Sequence, residues 1–493
     1  MSDWHEGLEP EPFWRHFAAL THIPRPSHGE EQAAAYVRAW AATRGFEVRS
    51  DAAGNLAVDL PASAGHEQAR TVTLQGHLDM VCERDPDSPY DPRAGELHVV
   101  RDGDWVRAEG TTLGADNGVA IAAMLAVAED GSAHGPLELL MTVAEEVGLQ
   151  GAQALDPALV TGDVLLNLDS EDDGALTIGC AGSIDRALQF DLPREPLPDG
   201  ASRTEVTVSG GRGGHSGGDI HLGHANAIKV LARLLRRADG IRLVALDGGA
   251  SRNAIPRDAH AVCVVGPGDR EAIAAEAARV RDAFSRTDPD VTIRVAGLSA
   301  GGEGAAGGEG AAGGDGAAGA WTAEASARVL DAIALIPVGP LGMSADFPGL
   351  VETSSSLGVA ETEGDRLTIR TLSRSANDAA LTDVLDAIAA AARATGAALE
   401  APDGYAAWRP DPDAPLLTLA RRAFEARFGA PPRITAVHGG LECALIGAKK
   451  PGLQMLSFGP RIEGAHAPGE RLHIPSVLRF TQLLAALLGA LSR

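Results

Sequence analysis

Basic charge is scarce in this 493-residue chain: 42 lysines and arginines face 67 aspartates and glutamates, giving a formal net charge of −25. A surface of that sign repels nucleic-acid phosphates and anionic lipids, so neither a nucleic acid nor a membrane is expected as a partner. Cysteine is scarce too. Cys82, Cys180, Cys263 and Cys443 form no CxxC pair and are too few for a disulfide framework. That usage suits a reducing, cytoplasmic location. No uninterrupted apolar run of about 18 residues occurs, so no membrane span is expected. The opening stretch MSDWHEGLEPEPFW is acidic and has no apolar core, so it does not read as a secretory leader. The composition, 45% hydrophobic and 22% charged, is globular, and the length calls for two or more domains.

Texture along the chain divides it further. Up to about residue 186, apolar strands alternate with helices. RTVTLQGHLDMV, LELLMTVAEEVG and DVLLNLDSEDDG read as buried strands, and GADNGVAIAAMLAVAED as a helix after a glycine-rich turn. Ser27 with Glu30 three residues later forms a capping-box pattern before another helix. Such alternation implies an α/β domain with a mixed, largely parallel sheet flanked by helices. From 187 to 398 the order becomes strand, helix, hairpin, helix, strand, and then helix, hairpin, helix. This is expected to be an inserted α+β lid domain built of two split βαβ (ferredoxin-like) units. A repeat, GGEGAAGGEGAAGGDGAA, separates its halves and reads as a flexible loop spanning 299–320. From 399 to 493 the first texture returns, so the first domain (1–186) is expected to be completed by the last segment.

Each apolar strand of the first domain delivers polar residues at its carboxyl end. In LQGHLDMV these are His77 and Asp79, two apart and thus on one face if the strand continues. A lone pair of this kind is ordinarily a structural hydrogen bond. Here it has company: Asp116 in LGADNG, Glu145 and Glu146 in TVAEEVG, and Asp169 in NLDSED. Open α/β sheets place their ligand crevice at the carboxyl ends of strands, so residues scattered from 77 to 169 are expected to converge. Five carboxylates in one crevice repel, and each faces a raised pKa unless cations neutralise them. Imidazole and carboxylate without thiolate suit Zn²⁺, with Mn²⁺ and Co²⁺ as alternatives. Two such ions bridged by a shared carboxylate stand about 3.5–4 Å apart.

The motifs GHLDMV, TTLGADNG, TVAEEVG, NLDSED, GCAGSID, GGHSGGDIHLGHANA, RNAIP and GAHAPGERLHI, taken together, resemble the M20 metallopeptidases, and within them the aminoacyl-histidine (Xaa-His) dipeptidase branch. The resemblance runs in order along nearly the whole chain and implies two Zn²⁺ per chain. His77, Asp116 and Asp169 would hold one ion. Asp116, Glu146 and His466 would hold the other, with Asp116 bridging. Glu145 would be the general base and acid, and Asp79 would orient His77. In the insert, His215 of GGHSGG would bind the reaction's oxyanion. Asn253 and Arg374 would hold the substrate's backbone and terminal carboxylate, for which a planar guanidinium is suited, and Gly439 to Glu442 in HGGLEC are expected to line the substrate pocket.

What the resemblance implies is metal-dependent hydrolysis of unblocked dipeptides, Xaa-His among them, in the cytoplasm. Rival readings are a related amide hydrolase with the same metal core (an N-acyl amino acid deacylase or a tripeptidase) and a metal-loaded binding protein without activity. Retention of Glu145 beside Glu146 argues against the last, since a scaffold needs no base. The insert, twice the length of one split βαβ unit, matches the doubled lid of the dipeptidase branch. In single-unit relatives a dimer partner supplies the second unit; a homodimer is compatible with this sequence.

Overall fold

The computed structural model of the chain describes residues 4–129, 131–197, 201–298, 319–401 and 403–493. The chain divides into two compact units: Met1–Cys180 with Trp408–Ala436 and Leu441–Arg493, and Ala181–Ala407 with Val437–Gly440.

The first unit is built on an eight-stranded sheet. Its centre is parallel: Leu137–Thr142, Val72–His77, Val164–Asn167 and Gln454–Ser457 lie side by side in that order. Every residue of the first three is buried, as expected where helices cover both faces of a parallel sheet. Parallelism stops there; Leu56–Leu60 and Ala175–Cys180 flank the centre as antiparallel strands. The helix Ala115–Val127 is apolar on all sides and buried almost throughout. It approaches the strand Val72–His77 so closely that a Cβ at Gly76 would stand 2.4 Å from Ala120 Cβ, so only glycine allows this contact. A second, four-stranded sheet carries the hairpin Ile462–Glu463 and Arg471–His473 beside Trp105–Ala108 and Val99–Asp102.

The C-terminal helix Ile474–Leu491, mean hydropathy 1.6, is long and apolar enough to cross a membrane by length and composition. The expectation of no such segment counted only uninterrupted runs, and Arg479 and Gln482 interrupt this one. Phe480, Leu484, Leu487 and Leu488 are buried within the unit, which accounts for the helix as a core element.

The second unit is built on a ten-stranded sheet, with a separate two-stranded sheet among its described residues. One half runs Thr292–Leu298, Arg203–Ser209, Ala259–Val264, Arg242–Gly248. The other continues Val351–Glu363, Arg366–Ser375, Gly182–Asp191, Ala398–Leu399. Counted inward from its outer edge, each half has the sheet order fourth, first, third, second strand in chain order, the antiparallel split-βαβ arrangement. The halves are nested rather than consecutive. Gly182–Asp191 is the first strand of the second half, and the whole first half is inserted after it. The sequence past residue 320 reads helix, hairpin, helix, with no strand to open the second half, and Gly182–Asp191 is the strand that does. Helices Ala227–Leu235, Pro267–Ala283, Ala323–Leu335 and Asp378–Thr395 share one apolar core with the sheet, including Leu231, Ile273, Val329 and Ile388.

Unit boundaries therefore shift from those expected. The break at 186/187 would cut the strand Gly182–Asp191, and the observed break precedes it. The break at 398/399 moves to 407/408, because Asp403–Tyr405 pairs with that same strand. The repeat 301–318 lies outside the described residues. Gly319 and Ala320, expected in its loop, belong instead to the strand Gly319–Trp321, paired with Arg194–Pro196.

Candidate metal centre

The three adjacent parallel strands end on one edge, and the acidic residues follow immediately. His77 is the last residue of its strand. Glu145 and Glu146 come three and four residues after the strand ending at Thr142, and Asp169 two after the strand ending at Asn167. Asp116 stands at the start of the helix Ala115–Val127 in a non-helical conformation, φ −82° and ψ 111°. Asn117 ties these pieces together: its Oδ1 accepts from the His77 N–H at 3.2 Å and its Nδ2 donates to the Leu168 carbonyl at 3.1 Å. His466, with φ 66°, projects from the loop of the Ile462–His473 hairpin.

Asp116 is shared. Its Oδ1 lies 3.0 Å from His77 Nε2, and its Oδ2 lies 3.0 Å from His466 Nε2. His77 Nε2 is also 3.5 Å from Asp169 Oδ1, and His466 Nε2 is 3.0 Å from Glu146 Oε2. The ligand atoms of His77, Asp116 and Asp169 all fall within 4.8 Å of one another, as do those of Asp116, Glu146 and His466. A third grouping, His77 with Glu145 and Glu146, meets the same limit and puts Glu145 beside both triads. All five residues expected as ligands are thus brought together.

Asp79 lies beyond the strand, so shared-face geometry does not explain its partnership with His77. A turn does: Asp79 Oδ1 comes within 3.4 Å of His77 Nδ1. The carboxylate also accepts the Glu145 N–H at 3.0 Å, the Glu146 N–H at 3.2 Å and the Ser27 hydroxyl at 2.8 Å. It orients the imidazole and the two glutamates together. Ser27 is therefore not a cap. The helix beginning at Glu31 has no side-chain cap, and Glu30 accepts from the Ala144 N–H instead.

The electrostatics are those of a site short of positive charge. Burial opposes ionisation of Asp116, yet its bonds to His466 and His77 hold its carboxyl well below the usual range. His466 is pushed up to about 11 by the same carboxylate and Glu146. Burial would lower His77, but Asp169 and Asp116 outweigh it and raise the group well above its ordinary value. Burial pushes Asp169 to about 6 and Glu145 well above the carboxylate range. Glu146 Oε1 is buried without a hydrogen-bond partner. Protons here do the work of cations: two imidazoles and four carboxylates, with a shared carboxylate and an orphaned oxygen, fit a pair of divalent ions.

Sequence reasoning missed two residues in this unit. Glu470 and Arg25, each 2% exposed, both bond to the main chain of the turn that carries Asp116. It also left Glu442 only as a pocket candidate. Glu442 is fully buried, and its Oε2 accepts from Thr142 Oγ1 at 2.6 Å and Gln75 Nε2 at 2.5 Å. Gln75 Oε1 in turn accepts from Asn167 Nδ2 at 2.7 Å. One polar network thus links the three strands that deliver the ligands.

In the second unit, His215 Nδ1 accepts the Gly218 N–H at 2.9 Å, which leaves the proton on Nε2. That nitrogen lies 3.5 Å from Arg374 Nη2, a donor facing a donor, an arrangement suited to a shared anion. Gly217 fits among them: a Cβ there would stand 3.1 Å from His215, 3.2 Å from Arg374 Cδ and 2.4 Å from the His438 carbonyl. His438 bonds Ser354 Oγ at 2.7 Å, and burial, with Arg374 and His215 nearby, lowers it to about 4, so it is neutral. Gly439 follows it, with open space around its Cα. Asn253 is exposed; its carbonyl accepts the Ser216 N–H at 2.7 Å, securing the His215 loop.

Residues 73–490 match the peptidase family M20/M25/M40. The cytosol non-specific dipeptidase of Escherichia coli (strain K12) is 38% identical over 485 residues, 98% of each chain. The crystal structure of an aminoacylhistidine dipeptidase from Vibrio alginolyticus superposes with a TM-score of 0.81 at 35% identity, covering 99% of this chain and 98% of that one. The aminopeptidase PepT of Bacillus cereus ATCC 10987 shares the fold, with a TM-score of 0.58 at 16% identity over 99% of this chain and 100% of that one.

Proposed function

The chain belongs to the M20/M25/M40 peptidase family and is a dipeptide hydrolase, and on that premise we propose how its own residues carry the reaction. The observation that carries the reading is the sharing of Asp116 between two histidines, one on each carboxylate oxygen. His77, Asp116 and Asp169 would hold one divalent cation, and Asp116, Glu146 and His466 the other. Two Zn²⁺ per chain suit the donor set, with Mn²⁺ and Co²⁺ as alternatives. Such a pair, when bound, acidifies water and polarises the scissile carbonyl.

The remaining steps belong to the protein. Glu145, beside both triads and pushed toward a high pKa by burial, takes the proton of the attacking water and passes it to the leaving amine. Asp79 holds the His77 ring and the Glu145–Glu146 turn in register for that transfer. His215, with its proton on Nε2, donates to the oxyanion of the tetrahedral adduct. Arg374 and Asn253 take the substrate's terminal carboxylate and backbone, and Gly439 lines the substrate pocket. The substrate is an unblocked dipeptide, Xaa-His included. A cytoplasmic location is supported by the cytosolic relative.

A substrate panel tests this: Xaa-His and Xaa-Leu dipeptides, a tripeptide and an N-acetyl amino acid, with and without chelator. The dipeptides are expected to be cleaved fastest, with all activity lost to chelator. Preference for the N-acetyl amino acid or the tripeptide would move the assignment to those related hydrolases. Glu145→Gln should lower turnover about 10²–10⁴-fold, the usual worth of a general acid–base, while keeping bound metal. Loss of metal from that variant would contradict its role.

A further inference from the structure

We propose that Arg25 and Glu470 are positioning residues, gripping the turn Leu113–Asp116 from two sides and so setting the bridging carboxylate of Asp116; the inference rests on the reading of Asp116 as shared between two cations.

Glu470 takes the amide side of the turn. Its Oε2 accepts from the N–H of Leu113 at 2.7 Å and of Gly114 at 2.9 Å, and its Oε1 from Ala115 at 2.7 Å and Asp116 at 3.2 Å. Four successive main-chain donors thus converge on one carboxylate. Arg25 takes the carbonyl side. Its Nη2 donates to the Gly114 carbonyl, and its Nη1 to the carbonyls of Leu78 at 3.1 Å and Asp79 at 2.7 Å. Arg25 therefore joins the Asp116 turn to the turn that follows His77, while Glu470 joins it to the loop of His466, four residues away.

Both groups are buried, and among the described residues neither lies within 4.0 Å of an oppositely charged side-chain group; their charges are met by main-chain dipoles, those of the Asp116 turn and, for Arg25, also those of the turn after His77. The turn is shaped to receive them. Gly114 has φ +72°, and a Cβ there would stand 2.5 Å from Arg25 Nη2 and 2.6 Å from Met80 Sδ. A Cβ at Gly118 would stand 2.8 Å from the same nitrogen. Two glycines thus make room for one guanidinium. Held this way, Asp116 presents one oxygen to His77 and the other to His466. A carboxylate left to rotate would give up one of these partners. Removing either clamp also leaves its buried main-chain partners unsatisfied, so loss is felt locally.

The test uses the full chain, in Glu470→Gln and Arg25→Lys. Glutamine offers one acceptor oxygen and turns an amide toward N–H groups; lysine keeps the charge and loses the fork. Three quantities are read: hydrogen exchange across residues 110–118 in metal-free protein, cation affinity by chelator competition, and kcat against KM. Each variant should exchange faster over that segment, with the rest of the first unit unchanged. Cation affinity should fall about 10–100-fold, the usual effect of losing an outer partner of a metal ligand, and kcat should fall with KM little altered. Should Glu470→Gln not fold, Arg25→Lys alone carries the same test. Parental exchange, or faster exchange with parental cation affinity, would overturn the clamp. Parent protein that binds no pair of cations would instead overturn the reading of the centre, and the exchange result would still judge the clamp.

Discussion

A single aspartate carries the site. Asp116 faces one imidazole with each oxygen, and the two histidines reach it from positions 77 and 466, opposite ends of the chain. Without cations, protons balance the cluster: His466 titrates near 11, and Asp169 near 6. Binding the pair must displace the His466 proton at any pH below about 11, the proton of His77, which is also raised well above its ordinary value, and an Asp169 proton below about 6. Affinity should therefore rise with pH, about tenfold per unit for each proton displaced, and more steeply below pH 6. Chelator-competition titrations at pH 5.5, 7 and 8 check this; a pH-independent affinity would refute the proton-for-cation exchange. At this scale the sequence was most legible where a residue's role follows from its chemistry. Histidine and carboxylates at strand ends announce themselves. Glu470 does not, because its partners are main-chain amides, which leave no mark in a sequence. Arg25, which bonds only carbonyls, is silent for the same reason.

Elements explain why those residues meet. Three parallel strands, each buried from end to end, carry their candidate ligands at or just beyond their carboxyl ends, and parallel pairing puts those ends on one edge. Apolar runs ending in acids make this readable from the sequence. Local patterns fared worse. Ser27 and Glu30 have the spacing of a cap, yet the serine bonds Asp79 and the glutamate bonds Ala144, because tertiary partners beside the site compete for the same oxygens. Beneath the strand ends, Glu442 sits between Gln75 and Thr142, and burial raises it to about 8. A carboxyl whose folded pKa is raised stabilises the fold below its unfolded value near 4.5, and that contribution is lost as pH rises through about 8. Metal-free Glu442→Gln should therefore lack this decline and gain stability relative to the parent between pH 5 and 9. Denaturant midpoints at the two pH values check it; parallel shifts in parent and variant would refute it.

At the scale of the molecule, the chain leaves one unit at residue 180, builds the other, and returns at 408 to supply His466 and Glu470. The change of texture made this division visible in the sequence. The nesting of the two split-βαβ halves was not visible, because Gly182–Asp191 reads as one more strand of the first texture and only its pairing with Arg366–Ser375 assigns it. The small sheet holding the His466 hairpin was missed as well: strands of two to four residues are too short to show a period. The central claim concerns the first unit alone: two divalent cations lie in it and share Asp116. The most direct measurement is elemental analysis of the full chain after exhaustive dialysis, beside Asp116→Asn of confirmed fold. The account predicts two divalent ions per parent chain and neither retained stoichiometrically in the variant; a parent that holds fewer than two, or an Asp116→Asn chain that still holds both, would contradict it.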